Sequence, residues 1–381
     1  MKRFLRQYCI ALTLCLALML LTVPARALEL SSPSALLMEK ATGNVLYAES
    51  EHEKREPASI TKIMTLLLTM EAIDSGTLSY DDIVTGSAHA ASMGGSQIWL
   101  KEGEQMTVRD LLKAVCIVSG NDAAVALGEH LAGSEEAFVE RMNKRAQELG
   151  MNDTHFVNCT GLPADGHLTS AYDIALMARE LIGKHGDIRQ FTTVWMDSLR
   201  DGASMLVNTN KLIRFYDGAT GLKTGSTDSA KSCLCATAER DGMELIAVVL
   251  KAPTSDDRFE DAKALLNYGF ANFALLTVTP DAALLPLPVT LGERATVQPI
   301  LTQDNTLLLD KSRASNLTQT LDLPESVTAP IAAGDALGAL VLTDSDGVTV
   351  AELPILAGED VAHVTWWQML CRFLAAAFCV R

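Results

Sequence analysis

The sequence predicts an α+β fold: an antiparallel sheet with helices at both ends of its sequence and a helical cluster inserted between its strands. A small all-β domain and a C-terminal amphipathic helix follow. Three observations predict this. Residues 34–47 read as strand, turn and strand, with Thr42-Gly43-Asn44 at the turn. Residues 59–182 carry apolar residues at helical spacing, interrupted by Gly, Asn and Asp. After Val207 the period shortens to two, and Arg240-Asp241-Gly242 supplies a hairpin turn between two apolar runs.

The chain opens on an export signal: Lys2, Arg3 and Arg6, an apolar stretch over 10–23, then Pro24-Ala25-Arg26-Ala27, which carries an A-x-A cleavage pattern. Cleavage there leaves a mature chain from Leu28. Charged residues 49–56 form a surface loop ending at Pro57. A helix is expected over 59–73, closed by Asp74-Ser75-Gly76, and Thr107 caps another over 108–118. Residues 122–131, 135–149 and 170–182 continue as helices. Strands follow at 223–227, 229–238 and 243–250, and a helix over 256–273 closes a domain spanning 28–276. From 277 to 357 short β-rich pieces such as Ala295-Thr296-Val297 alternate with Gly, Asp and Pro turns. That domain holds no clustered acid, base or nucleophile and reads as a spacer or docking module.

Residues 358–381 differ from the rest. At ~100° per residue Trp366, Trp367, Leu370, Phe373, Leu374, Ala377 and Phe378 gather on one face, and Thr365, Gln368 and Arg372 on the other. Paired tryptophans on such a helix suit a membrane surface, which is the expected partner of this segment.

A formal net charge of −16 leaves no basic stripe for phosphates, so no nucleic-acid partner is expected. Of eight cysteines, Cys9 and Cys15 leave with the signal. The other six show neither a disulfide framework nor zinc-ligand spacing, so no metal or other cofactor is expected. Cys233 and Cys235, two apart on a strand, share a face as small apolar residues.

Three short patterns carry chemistry. In Ser59-Ile60-Thr61-Lys62 a helix places Lys62 over Ser59, where a lysine made neutral by burial and nearby cations can take the hydroxyl proton. In Ser119-Gly120-Asn121 the glycine permits a tight turn, so that Ser119 can relay a proton and the Asn121 amide can hold a carbonyl. In Lys223-Thr224-Gly225-Ser226 alternation sends Lys223 and Gly225 to one face and Thr224 and Ser226 to the other. There Gly225 keeps the strand edge clear for a peptide, and Lys223 helps keep Lys62 neutral. Each pattern alone is ordinary, but their order and placement on helix, loop and strand fit one site.

On these residues the chain resembles low-molecular-mass penicillin-binding proteins of the D-alanyl-D-alanine carboxypeptidase type, most of all the Bacillus sporulation-associated branch. The stretches 57–62, 89–96, 118–122 and 221–225 match, as do Thr154-His155-Phe156 and 169–173. The resemblance implies a transpeptidase/β-lactamase-like domain, a β-rich second domain and a helix on the outer membrane face. It implies that Ser59 attacks the penultimate D-alanine carbonyl of a peptidoglycan stem peptide, with Lys62 as base. Ser119 and Asn121 assist, and the backbone N–H groups of Ser59 and Ser226 form an oxyanion hole. Lys223, Thr224 and Arg258 cradle the free carboxylate. Terminal D-alanine leaves, water hydrolyses the acyl-enzyme, and β-lactams acylate Ser59 by the same route. Ser226 stands where several family members carry a bulkier histidine or tyrosine, which bears on substrate preference and deacylation. A class A β-lactamase is disfavoured: no Glu-x-x-Leu-Asn stretch lies between Asn121 and Lys223, and the middle motif is Ser-Gly-Asn. A D,D-endopeptidase and a non-catalytic wall-binding protein remain as alternatives.

Overall fold

Alternation of side chains along three long strands decides the architecture. The computed structural model describes residues 28–378 apart from 303–304 and 315; the expected export signal lies outside the described residues. In chain order the first unit holds β1 (Ser34–Glu39), β2 (Val45–Glu49), α1 (Lys62–Asp74), α2 (Val108–Ile117), α3 (Asn121–Ala132), α4 (Glu135–Glu148) and α5 (Ala171–Lys184). It continues with β3 (Ala219–Thr227), β4 (Lys231–Arg240), β5 (Met243–Ala252) and α6 (Ser255–Asn272). The five strands form one antiparallel sheet in the order β2-β1-β5-β4-β3. β3, which carries Lys223, is therefore an edge strand.

The two faces of the sheet are buried against different helices. Leu36, Met38, Cys233, Cys235, Ile246 and Val248 pack with Ile63, Met64 and Leu67 of α1. The residues between them, including Leu37, Leu234, Ala236, Leu245 and Val249, meet Phe259, Leu265 and Leu266 of α6. Cys233 and Cys235 thus share a face, as their spacing predicts. α1 is buried from Lys62 through Leu67, the pattern of a central helix with no wet side. Helix starts follow their capping residues: Thr107, Ser134 and Ser170 accept from the backbone N–H three residues on, and Thr254 and Asp257 form a reciprocal capping box.

Two boundaries differ from expectation. The helix expected from residue 59 begins as a 3-10 turn over Ala58–Thr61 and becomes α-helical only at Lys62. The last helix stops at Asn272, and Phe273–Thr277 pairs antiparallel with Thr306–Asp310. The expected division at 276/277 therefore falls inside a strand that bonds to the β-rich part. That part contains a four-stranded sheet in which Thr349–Ala357 and Ala336–Thr343 pair centrally, with its own small apolar clusters.

α7 (Trp366–Phe378) ends the described chain. Thr365 Oγ1 accepts from the Gln368 N–H while Gln368 Oε1 accepts from the Thr365 N–H, which fixes the helix start. Arg372 donates to the Gly292 and Glu293 carbonyls at 2.9 and 2.6 Å, so the polar face rests on the β-rich unit. Trp366 and Phe373 on the other face are 75% and 71% exposed. No helix among the described residues is long and apolar enough to cross a membrane. Cys116, Cys159, Cys233 and Cys235 are buried free thiols, and Cys371 on α7 is exposed.

Phe138 of α4 is buried against Gly128 of α3, where an added Cβ would lie 2.8 Å from its ring. Because α3 begins at Asn121, this contact seats one wall of the site. Phe138→Ala is expected to cost about 3–5 kcal/mol, read as a lower urea midpoint at unchanged slope. An unmoved midpoint would show that the contact contributes nothing.

Candidate active site

The 3-10 turn brings the first pair together. At three residues per turn, side chains i and i+3 eclipse, so Lys62 stands directly over Ser59. Lys62 Nζ lies 3.0 Å from Ser59 Oγ and donates to the Thr160 carbonyl at 2.7 Å. Lys62 is wholly buried, whereas Ser59 is half-buried. Burial, and then the neighbouring Lys223, hold the Lys62 amine well below the ordinary lysine range. When deprotonated, an amine so placed gives an N–H to Thr160 and has a lone pair left toward the Ser59 hydroxyl, the geometry a general base requires.

The turn itself is held under strain. Ala58 has a φ of 48°, a region alanine disfavours. Its carbonyl accepts from Thr61 Oγ1 at 2.9 Å. Gly161, itself at φ 84°, lies so close that an added Cβ would come within 1.8 Å of the Ala58 oxygen, so only glycine fits.

The second pattern is placed as expected but by a different backbone. Ser119, not Gly120, takes the left-handed conformation (φ 62°). Gly120 is needed for room instead, since a Cβ there would meet Asp122 Oδ1 at 3.1 Å. The Ser119 hydroxyl is buried without a hydrogen-bond partner, and so is Asn121 Oδ1. Asn121 Nδ2 donates to the Gly94 carbonyl and its N–H to Ser96, binding the 94–96 segment to the site. Asp122 is buried and accepts from the N–H groups of Ile98, Leu100 and Ala123, which fixes the same segment.

On β3, Lys223 is buried, and its Nζ donates to the Thr224 carbonyl at 3.0 Å. Burial, with Arg258 adding, draws its amine down to about 7. The Thr224 hydroxyl shares a hydrogen bond of 2.8 Å with Thr209, and Ser226 is exposed at the strand edge. Gly225 corrects the expectation made for it. Its missing side chain faces the nucleophile turn, where a Cβ would meet the Pro57 oxygen at 2.8 Å and the Ile60 nitrogen at 3.1 Å. Glycine here lets the turn sit on the strand; it does not clear a path for a peptide. Arg258 lies at the start of α6 and donates through Nη1 to the Gly225 carbonyl at 3.0 Å, leaving Nε without a partner. The guanidinium thus braces β3.

The structure therefore brings Lys62 onto Ser59 and Lys223 close enough to act on Lys62, with Thr224 beside it on β3; Ser119 and Asn121 stand at the start of α3, their side-chain oxygens without partners. Sequence reasoning missed the Thr160 carbonyl, Gly161, Thr209, Asp122 and the buried His167. One signal was present: Asn158 Oδ1 accepts from the N–H groups of Thr160 and Gly161, an Asx turn that Asn-x-Thr-Gly announces.

A serine beside a desolvated lysine, between a Ser-Gly-Asn loop and a Lys-Thr-Gly strand in this α+β frame, defines a serine peptidase of the penicillin-binding class. Residues 21–254 match the family model for D-alanyl-D-alanine carboxypeptidase, and residues 278–363 match that for the C-terminal domain of penicillin-binding protein 5. The chain is 43% identical over 344 residues to D-alanyl-D-alanine carboxypeptidase DacF of Bacillus subtilis, covering 89% of this chain and 88% of the relative. To DacD of Escherichia coli it is 35% identical, covering 90% of each. The solved penicillin-binding protein 5 of Haemophilus influenzae superposes with a TM-score of 0.79 at 30% identity, over 88% of this chain and 98% of that one. Penicillin-binding protein D2 of Listeria monocytogenes, solved in its ampicillin-bound form, gives 0.58 at 34% identity, over 63% of this chain and 98% of that one. The chain belongs to the D-alanyl-D-alanine carboxypeptidase family. It is a serine-type carboxypeptidase with the penicillin-binding-protein fold.

A protonated lysine cannot act as base, so with Lys62 in that role acylation is expected to slow as pH falls through its pKa. Lys223→Gln removes a cation that depresses that pKa. The acid limb of penicillin acylation against pH is expected to move up by about one unit. A limb that stays put or moves down would contradict this coupling.

Proposed function

We propose that Ser59 is the residue acylated by peptidoglycan stem pentapeptides, with release of their terminal D-alanine. The observation that carries this reading is the 3.0 Å approach of the buried Lys62 amine to Ser59 Oγ. Lys62 takes the hydroxyl proton as Oγ bonds to the carbonyl carbon of the penultimate D-alanine. The Ser59 and Ser226 N–H groups receive the oxygen that becomes negative. The tetrahedral intermediate collapses, the C–N bond breaks, and the proton taken by Lys62 passes by way of Ser119 to the departing D-alanine nitrogen. The unpartnered Ser119 hydroxyl supports this, being free to accept and give a hydrogen within the site. Asn121 positions the substrate amide. Lys223 and the hydroxyl of Thr224 face the terminal carboxylate, with Arg258 adding positive charge from behind the strand. Water then attacks the ester while Lys62 takes its proton, the acyl C–Oγ bond breaks, Lys62 returns the proton to Ser59 Oγ, and the shortened peptide leaves. A β-lactam meets the same groups and acylates Ser59, but its leaving group stays tethered.

Ser59→Ala is expected to abolish both fluorescent-penicillin labelling and D-alanine release from a stem pentapeptide, a loss of about 10³-fold or more. Unlabelled wild-type protein would overturn this reading. Monomer formed from a cross-linked dimer, with no D-alanine released from the pentapeptide, would replace it with an endopeptidase.

The chain is proposed to act outside the cytoplasm, on the outer membrane face, with residues 28–276 carrying the chemistry and 277–357 serving as a spacer. The exposed tryptophans and Phe373 of α7 suit insertion at the depth of lipid headgroups. Replacing Trp366, Trp367 and Phe373 by serine is expected to reduce sedimentation with phosphatidylglycerol vesicles at least roughly ten-fold, with penicillin labelling intact. Equal sedimentation of variant and parent would refute the anchor.

A further inference from the structure

His167 lies on the loop before α5, 106 residues from Thr61, yet its imidazole is buried beneath the nucleophile turn. The Val157 N–H donates to its Nδ1 at 3.0 Å, so Nδ1 carries no proton and Nε2 holds the hydrogen of the neutral ring. Nε2 is 2.8 Å from Thr61 Oγ1. Thr61 therefore receives that hydrogen and turns its own toward the Ala58 carbonyl, 2.9 Å away. Burial, with His155 adding, holds the imidazole down to about 4, so one tautomer persists at neutral pH.

The Ala58 oxygen is also stopped by Gly161, whose Cα leaves no room even for a methyl group. In a trans peptide the C=O and the following N–H point in opposite directions across one plane. Anchoring the Ala58 oxygen beneath the turn therefore aims the Ser59 N–H the other way. Ala58 sits at φ 48°, so this plane is held against the local preference of its own backbone. The same imidazole fastens Val157, where the loop begins that brings the Thr160 carbonyl to Lys62.

We propose that His167, acting through Thr61, is a positioning residue for the oxyanion hole: it holds the Ala58–Ser59 peptide plane with the Ser59 N–H facing the carbonyl oxygen under attack. The inference rests on the reading of Ser59 as the acylated residue. It separates two nitrogens of one ring, since the Nε2 side governs the hole and the Nδ1 side governs the loop.

Three substitutions test it. In His167→Gln the longer amide can place an N–H near the Nε2 position and keep the donor for Thr61. In His167→Asn the shorter amide reaches only the Nδ1 position. Thr61→Val removes the relaying hydroxyl at nearly constant volume. Stopped-flow acylation with a fluorescent penicillin separates the saturation constant from the acylation rate constant. His167→Asn and Thr61→Val are each expected to slow acylation about 10- to 100-fold with half-saturation changed less than about two-fold, and His167→Gln to stay within about three-fold of the parent. The double variant His167→Asn/Thr61→Val should be no slower than the slower single one, because both break the same relay.

Parent-like acylation by His167→Asn overturns the proposal. So does equal loss in His167→Gln and His167→Asn, or a loss confined to the saturation constant or to the fraction of molecules labelled. If His167→Asn does not fold, Thr61→Val decides alone. An unlabelled parent protein would count against Ser59 itself, so the two failures are distinguishable.

Discussion

A lysine amine kept free of water beside a serine hydroxyl is the constraint that the surrounding structure serves. Taking an ammonium out of water is costly, and that cost holds the Lys62 amine well below the ordinary lysine range. That outcome needs complete enclosure, and α1 provides it by having no exposed side over its first turns. A second buried lysine close by reinforces the effect through like charge. The Thr160 carbonyl then gives the amine the one acceptor it needs, which orients its lone pair without charging it. Depressed basicity and direction thus come from separate parts of the fold, one from the core and one from a loop.

Three segments far apart in sequence converge on this amine, and glycines set how closely they approach. Gly161 admits the Ala58 carbonyl and Gly225 admits the turn that follows Pro57. Both contacts are backbone against backbone, so neither can relax by a side chain swinging aside. The nucleophile turn is consequently clamped between a loop and a strand edge, and the unfavourable φ of Ala58 persists because its surroundings over-determine it.

The frame and the motif side chains were legible in the sequence because each rests on a local period. Alternation fixes which face of β3 holds Lys223, three-residue spacing brings Lys62 to Ser59, and helical spacing separates the wet and apolar faces of α7. What was not legible depends on contacts between distant backbones. Nothing near Gly225 signals that its neighbour is Pro57, and so it was read as clearance for a peptide. The turn expected around Gly120 is present, but the left-handed φ falls on Ser119, which residue type alone does not announce. The Thr160 carbonyl carries no residue-type signature at all. His167 looked like any loop histidine until its two nitrogens acquired partners. The strand at Phe273–Thr277 was not legible for a related reason: its hydrogen bonds go to a strand some thirty residues onward.

The buried thiols have a consequence of their own. Burial pushes Cys116 up to about 12, Cys233 up to about 11 and Cys159 well above the usual thiol range, so none offers a thiolate to an oxidant or to a passing disulfide. Among the described residues the thiols of the first unit are all free and buried. Among the described residues only Cys371 is open to oxidation, and it lies on the terminal helix. Oxidation would therefore be felt first on that helix, far in sequence from Ser59 and Lys62.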